Sequence, residues 1–178
     1  MTTKLMIVWG STTGNTQDAA EALEKHFSDY ELSCEHVDDV TVEQMVCSDV
    51  VLIGVSTWDI GELQPDWDIR VDQLDTADWS GVRVGFFGGG DAVNYADTFV
   101  DAFGILWERI EPKGAKLIGK WPTEGYDFDD SRSLCDENKN FLGLPIDDDN
   151  EPELTKGRIE DWAAQIRREI DSASVPAS

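Results

Sequence analysis

Apolar segments along the chain predict five strands. Four of them are short and mainly apolar, as expected of strands buried in a parallel sheet, and one alternates loosely between apolar and polar residues. The mainly apolar segments are residues 4–9, 49–55, 82–87 and 116–121, and the alternating one is residues 30–37. Gly10 and the run Gly88-Gly89-Gly90 stop two of these strands.

Segments with helical periodicity separate the strands. The first helix starts at Thr16, and a long helix capped by Asp97 buries Phe99, Phe103, Leu106 and Ile110 on one stripe. The other predicted helices are residues 42–46, a short helix starting near Pro65 or Asp66, and residues 155–170.

This alternation predicts an α/β fold, a doubly wound parallel sheet with helices on both faces. The length of 178 residues fits one domain over residues 1–178. Ligands of such sheets bind at the carboxyl ends of the strands, near the point where the strand order reverses. We therefore examine the loops after the first, third and fourth strands.

Net charge limits the classes of partner. The chain has 37 acidic and 14 basic side chains and a formal net charge of -23. A surface this negative repels phosphate backbones and anionic membranes and favours basic partners. The apolar runs are too short for a membrane span or a signal peptide, which predicts a cytoplasmic protein. The three cysteines and two histidines show no metal-ligand spacing, so we expect no metal site.

The loop at residues 10–16 (GSTTGNT) joins the first strand to the first helix. Its hydroxyls lie where backbone N–H groups and the positive end of a helix attract anions. It lacks the lysine of a nucleoside-triphosphate loop and any GxGxxG dinucleotide motif, which favours a terminal monophosphate. The alternative, that these side chains only cap the helix, stays open on this loop alone.

Aromatic residues occur in the other two loops. Trp58 follows the third strand, and Tyr95 follows the glycine run after the fourth, where backbone can approach a flat ligand closely. Trp58 alone could instead pack beneath a neighbouring loop. Two aromatic residues and an anion loop at one sheet edge together predict a site for a planar aromatic mononucleotide.

Five motifs carry a family resemblance over nearly the whole chain. They are residues 10–16 (GSTTGNT), 57–67 (TWDIGELQPDW), 88–97 (GGGDAVNYAD), 121–128 (WPTEGYDF) and 143–150 (GLPIDDDN). With these motifs the chain resembles the flavodoxins, and the polar stretch at about residues 121–140 is similar to the insertion of the long-chain members. The resemblance implies a three-layer sandwich around a five-stranded parallel sheet of order 2-1-3-4-5.

The resemblance also implies non-covalently bound FMN and a set of contacts to it. The phosphate would lie on the first loop, the isoalloxazine ring between Trp58 and Tyr95, and the ribityl chain near Asp149. The Asp59–Ile60 peptide would accept a hydrogen bond from reduced flavin N5. The implied cofactor-binding residues are Ser11, Thr12, Thr13, Gly14, Asn15, Thr16, Thr57, Trp58, Asp59, Ile60, Gly61, Gly89, Gly90, Asp91, Tyr95 and Asp149.

The implied function is that of a low-potential one-electron carrier and not of an enzyme. It would shuttle between the semiquinone and hydroquinone of FMN, because an anionic reduced ring is unfavourable between aromatic faces in a protein this acidic. As a monomer it would serve basic redox partners, such as a ferredoxin/flavodoxin-NADP reductase or other oxidoreductases. The candidate docking residues are Glu62, Asp66, Asp68 and Asp72.

Two other functions compete with this one. An FMN-dependent NAD(P)H:quinone reductase of related fold would need its own nicotinamide site, and no second nucleotide motif is present. A phospho-acceptor response regulator would need an aspartate at the end of the third strand, where this chain has Val55-Ser56-Thr57. The acidic run Asp147-Asp148-Asp149 is interpreted as a solvated turn, apart from Asp149.

Overall fold

A parallel β-sheet forms the centre of the computed structural model, which describes residues 2–174. Its strands are β1 (Lys4–Trp9), β2 (Glu31–His36), β3 (Val50–Gly54), β6 (Arg83–Gly89), β7 (Lys116–Leu117) and β11 (Gly143–Ile146). Their spatial order is β2-β1-β3-β6-β11, with β7 also paired to β6, and every pairing is parallel. Counted along this sheet, with β7 and β11 sharing the fifth position, the order is 2-1-3-4-5. The predicted fold class is confirmed.

Five helices cover the two faces of the sheet. They are α1 (Asn15–Glu24), α2 (Val42–Val46), α3 (Pro65–Leu74), α4 (Asp101–Ile110) and α5 (Pro152–Ser174). Alternate residues of β1 and β3 point to opposite faces. Leu5, Ile7 and Leu52 belong to the core with α1 and α5, whereas Val8 and Ile53 belong to the core with α2, α3 and α4.

The fifth strand position differs from the prediction of one strand at residues 116–121. Lys116 and Leu117 pair with the start of β6, and Gly143–Ile146 pair with its end. Between them lies a small antiparallel sheet of β8 (Trp121–Pro122), β9 (Leu134–Cys135) and β10 (Asn140–Phe141), in the order β8-β10-β9. Residues 121–140, the stretch that resembles an insertion, contribute most of this small sheet, and Trp121 pairs with Phe141 there and not with the main sheet.

The start of α4 also differs from the prediction. Asp97 lies in a separate 3-10 turn, Ala96–Thr98, and α4 begins four residues later after Val100, whose φ of 49° is left-handed. Distant side chains satisfy the helix amides: Thr57 Oγ1 accepts the Ala102 N–H at 3.0 Å, and Ser133 Oγ accepts the Gly104 N–H at 2.9 Å. These acceptors lie 45 and 29 residues away in sequence, so local capping rules cannot locate this helix start.

Three further elements complete the description. A hairpin of β4 (Thr57–Trp58) and β5 (Glu62–Leu63) follows β3. The last helix begins at Pro152, three residues before the predicted start. Within residues 2–174, no helix has the length and apolar character needed to cross a membrane.

Candidate functional site

The first loop ends on the N-terminus of α1 and leaves most of its backbone N–H groups without a partner. Gly14, at φ 95°, is the N-cap and no side chain caps the helix; Ser11 Oγ accepts the Gly14 N–H at 3.0 Å. Within residues 2–174, the backbone N–H groups of Ser11, Thr12, Thr13, Asn15 and Thr16 have no hydrogen-bond partner. Unpaired amides at a helix N-terminus bind anions. This loop therefore has the donors that a phosphate requires, and the helix-cap alternative is not what the structure shows.

The hairpin β4–β5 presents Trp58 at the same edge. Trp58 is half-buried, and the turn beyond it contains Asp59 at φ 42° and Gly61 at φ 75°. Aspartate tolerates the left-handed region better than most residues, so the turn suits this sequence. Ile60 is 80% exposed at its tip. The hairpin thus holds an aromatic face beside the cleft without burying it in the core.

The third loop is organised by the carboxylate of Asp91. Its Oδ1 accepts the N–H groups of Val93 and Asn94 at 3.0 and 2.8 Å, and the side-chain amide of Asn150 at 2.9 Å. Burial alone would raise the pKa of Asp91, but these hydrogen bonds outweigh it and hold the pKa below its usual value. The loop after β6 is therefore folded by its own aspartate, and it leaves Tyr95 exposed.

Asp147 connects this loop to the end of β11. It is only 1% exposed, and its carboxylate accepts the Ala92 N–H at 3.1 Å and the Asn150 N–H at 3.2 Å. The prediction of a solvated turn is wrong for Asp147, which is buried and connects two loops of the site through its hydrogen bonds. Asp149 is largely exposed. Partial desolvation of its carboxyl group is the main cause that raises its pKa, and the negative charges of neighbouring carboxylates, Asp91 first, raise it further.

One cleft of about 170 Å³ joins the three loops. Ten of the sixteen predicted cofactor-binding residues line it: Thr13, Asn15, Thr16, Thr57, Trp58, Gly89, Gly90, Asp91, Tyr95 and Asp149. Ser56, Ile146 and Asp148 line it as well and were not predicted. Ser11, Thr12 and Gly14 lie in the first loop beside it, and Asp59, Ile60 and Gly61 lie in the hairpin turn.

The cleft has aromatic groups on two loops and hydrogen-bond donors on the third. Among residues 2–172, the rings of Trp58 and Tyr95 are not in contact with each other, although both line the cleft. A planar ligand with an anionic tail fits this set of groups. Flat aromatic walls stack on a ring, and free amides hold the tail.

Three polar side chains lie close together behind the first loop. His36, Asp38 and Asp66 each have one nitrogen or oxygen atom that could coordinate a metal ion, and these three atoms lie within 4.8 Å of one another. Arg70 Nη2 lies 3.5 Å from an oxygen of Asp38 and supplies positive charge to this group. Residue spacing did not foresee this group, because its members come from β2, the turn after it and α3.

Known proteins similar to this chain include one whose crystal structure contains a ligand of the kind that the cleft fits. A family model described as Flavodoxin matches residues 7–162. The flavodoxin of Synechocystis sp. is 42% identical over 171 residues, covering 96% of this chain and 99% of the relative. Flavodoxin 1 of Escherichia coli is 40% identical over 164 residues, with coverage of 92% and 93%. The crystal structure of Fusobacterium nucleatum flavodoxin bound to flavin mononucleotide superposes with a TM-score of 0.87 at 25% identity, covering 95% and 99%.

Proposed function

The chain belongs to the flavodoxin family, and from this premise we propose that it carries single electrons on non-covalently bound FMN. It is an electron-transfer protein rather than an enzyme. The observation that supports FMN best is the row of unpaired amides at the N-terminus of α1, in one cleft with Trp58 and Tyr95. The family relatives do not favour the quinone reductase alternative.

Different residues of the cleft would contact different parts of FMN. FMN, when bound, supplies the redox chemistry, because its ring accepts and releases electrons one at a time. Amides and hydroxyls of the first loop would hold its phosphate, since hydrogen bonds to an ionised acceptor are the strong ones. Trp58 and Tyr95 would exclude water from the two faces of the ring, and Asp149 would lie near the ribityl chain.

We assign Thr57 a position at the edge of the ring. Its hydroxyl already accepts the Ala102 N–H at 3.0 Å, so its own hydrogen is left to donate elsewhere. With Thr57 at the start of β4 and Gly89, Gly90 and Asp91 at the end of β6, the polar edge of the ring would meet both loops. The Asp59–Ile60 peptide stays our candidate for the acceptor of the reduced ring's N–H.

Spectroscopy and a titration test the proposed function. We expect protein stripped of cofactor to bind one equivalent of FMN, to regain a flavin absorption spectrum, and to quench the fluorescence of the added FMN. The reason is that aromatic stacking and the amides of the first loop act on the two ends of the same molecule. Apoprotein that leaves FMN fluorescence unchanged at micromolar concentrations contradicts the proposal.

We further propose a docking surface for basic redox partners beside Trp58. It consists of the exposed apolar residues Ile60 and Ile69, which are 80% and 73% exposed, and the carboxylates of Glu62, Asp68 and Asp72. A groove of about 800 Å³ runs along it. Protein–protein interfaces commonly have an apolar centre surrounded by a polar rim, and the carboxylates form the rim here. Such a partner would meet a monomer of this protein in the cytoplasm.

Neutralising the rim should slow electron transfer. We expect the double variant Glu62→Gln, Asp68→Asn to reduce the second-order rate with a basic reductase by roughly threefold to tenfold at low ionic strength. The difference should fade as salt is raised above about 0.15 M, because salt screens exposed charges. Stopped-flow absorption of the flavin measures the rate.

A remote pair of carboxylates provides the control for this variant. Glu43 in α2 and Glu111 after α4 are exposed, and neither lines the groove beside Trp58. The double variant Glu43→Gln, Glu111→Gln makes the same change in net charge and should slow the reaction less. Equal slowing in the two variants would show that overall charge, and not this surface, attracts the partner.

A further inference from the structure

Gln64 connects the first loop to α3 through a buried side chain. Gln64 is fully buried, and its Nε2 lies 3.2 Å from Thr12 Oγ1 and 2.8 Å from Asp66 Oδ2. Thr12 is in the first loop, 52 residues before Gln64, and Asp66 lies in the first turn of α3. A chain of two hydrogen bonds therefore runs from Asp66 through one amide to a hydroxyl beside the free backbone N–H groups.

The carboxylate of Asp66 determines which way this amide faces. An ionised carboxylate only accepts hydrogen bonds, so the NH₂ group of Gln64 must face it, and the same NH₂ group then faces Thr12. This orientation leaves Gln64 Oε1 buried without a partner. A buried acceptor without a partner is costly. Turning the amide round would place its oxygen against Asp66, so the charge of Asp66 is what maintains the orientation.

His36 holds Asp66 from the other side. Its Nε2 lies 3.2 Å from Asp66 Oδ2, and its Nδ1 accepts the Asp38 N–H at 3.1 Å. Because Nδ1 accepts a hydrogen bond, the neutral ring carries its hydrogen on Nε2 and donates it to Asp66. The ring of Trp9 packs edge-on against His36 at 4.8 Å. Asp66 thus receives two donors and is fixed in place.

The orientation of the amide determines what the Thr12 hydroxyl can do. A hydroxyl has one hydrogen to donate, and the Thr12 oxygen already accepts from Gln64. Its hydrogen is therefore free to donate, and Thr12 lies in the loop of which five backbone N–H groups have no partner within residues 2–174. An anion on this loop gains a further donor. With the amide reversed, Thr12 would donate to Gln64 and the anion would lose that donor.

We propose that Asp66 is a positioning residue which acts through Gln64 to keep the Thr12 hydroxyl available to an anion, and so favours a flavin with a phosphate over one without. This inference rests on the proposed function, because it takes FMN as the ligand of the first loop. It also removes Asp66 from the candidate docking residues. The side chain of Asp66 is 29% exposed and bonded to His36 and Gln64, whereas that of Asp72 is 85% exposed, even though it forms an ion pair with Arg109.

The test compares two flavins that differ only in the phosphate. We expect Asp66→Ala to raise the Kd for FMN about tenfold, the loss of one hydrogen bond to a charged group, and to change the Kd for riboflavin less than about twofold. Gln64→Met has no amide to turn round and leaves the Thr12 hydroxyl free to donate, so it should raise the Kd for FMN less than Asp66→Ala does. Removing a negative charge near a phosphate should by itself strengthen FMN binding. Weakening by Asp66→Ala therefore has the opposite sign to a simple charge effect. Fluorescence titration of apoprotein with each flavin measures both constants.

Two further variants separate positioning from charge. Asp68→Ala removes a charge from the same helix, from a side chain that has no hydrogen bond to the Gln64 amide, and should not weaken FMN binding; the Asp68 N–H still donates to the Gln64 carbonyl at 3.0 Å. Asp66→Asn restores an acceptor without the charge and should recover part of the lost affinity. An unchanged or lower Kd for FMN in Asp66→Ala would overturn the inference. Equal weakening of FMN and riboflavin would also overturn it, since that result indicates a general loss of structure.

Inorganic phosphate distinguishes failure of this inference from failure of the proposed function. If apoprotein of the unaltered chain binds no FMN, the proposed function fails, but thermal melting with added phosphate still tests the loop. Phosphate should then raise the melting temperature of the unaltered protein more than that of Asp66→Ala, because a ligand that binds the folded state stabilises it. Equal shifts in both proteins would overturn the inference.

Discussion

Replacing Trp58 by alanine is expected to raise the Kd for FMN roughly tenfold to a hundredfold, because stacking of one aromatic ring on a flat base contributes about 1–3 kcal/mol. The potential for the second electron should rise by about 60 mV or more, which corresponds to a tenfold change in a one-electron equilibrium. Without the indole, water reaches one face of the ring and solvates its negative charge after reduction. Flavin fluorescence and spectroelectrochemistry measure the two effects.

The position of Trp58 outside the core allows its effect on FMN binding to be separated from an effect on folding. Trp58 lies on the hairpin β4–β5 and is absent from both buried cores, so its removal should leave the apoprotein folded. Trp58→Phe keeps an aromatic face and should retain most of the affinity and a lower potential than Trp58→Ala. If Trp58→Ala left both the affinity and the potential unchanged, the ring would not stack on Trp58.

The centre of the sheet could be predicted from sequence because its strands are buried on both faces. Residues 50–55 have no polar side chain, and in the structure all five residues of β3 are buried. Parallel strands need crossovers, and each of the first four predicted helices supplies one. The alternation of elements therefore determines much of the topology, and the family resemblance supplies the order.

The fifth strand position and the start of α4 could not be predicted because distant contacts determine them. Residues 116–121 read as one strand, yet only Lys116 and Leu117 pair with β6. Asp97 is a good local cap, but Thr57 and Ser133 satisfy the amides of α4 from elsewhere in the chain. The left-handed Val100 is unfavourable for a β-branched residue, and no local pattern indicates it.

The three loops of the site could be predicted, but their supports could not. Hydroxyls and glycines at strand ends indicate a cleft, and the structure brings Thr16, Trp58 and Tyr95 together there. Asp147 and Gln64 were missed because an acidic run and a glutamine resemble ordinary surface sequence. Both are buried, and only the tertiary fold shows that their hydrogen bonds hold the loops.

Replacing Gly88 by alanine is expected to destabilise the apoprotein by more than about 3 kcal/mol, a loss typical of severe overlap in a packed interior. Gly88 lies in β6, just before the third loop, at φ 156°, and an added Cβ would lie 1.8 Å from the carbonyl oxygen of Val55. That oxygen belongs to the backbone, and the Val55 N–H is bonded to the Phe87 carbonyl at 2.9 Å. Neither strand end can move without breaking this contact. Urea denaturation of apoprotein measures the loss.

Gly89 provides the matched control, since it is the next residue of the same strand. An added Cβ there would meet Ser56 Cβ at 3.5 Å and the Ile146 oxygen at 4.0 Å, which are ordinary contacts. Gly89→Ala should therefore cost less than about 1 kcal/mol and leave a cooperative transition. The contrast arises from backbone approach and not from the loss of a glycine as such. Similar stabilities for Gly88→Ala and Gly89→Ala would mean that the backbone at Val55 moves to accommodate a side chain at position 88. The close approach of Val55 would then not explain why a glycine occupies position 88.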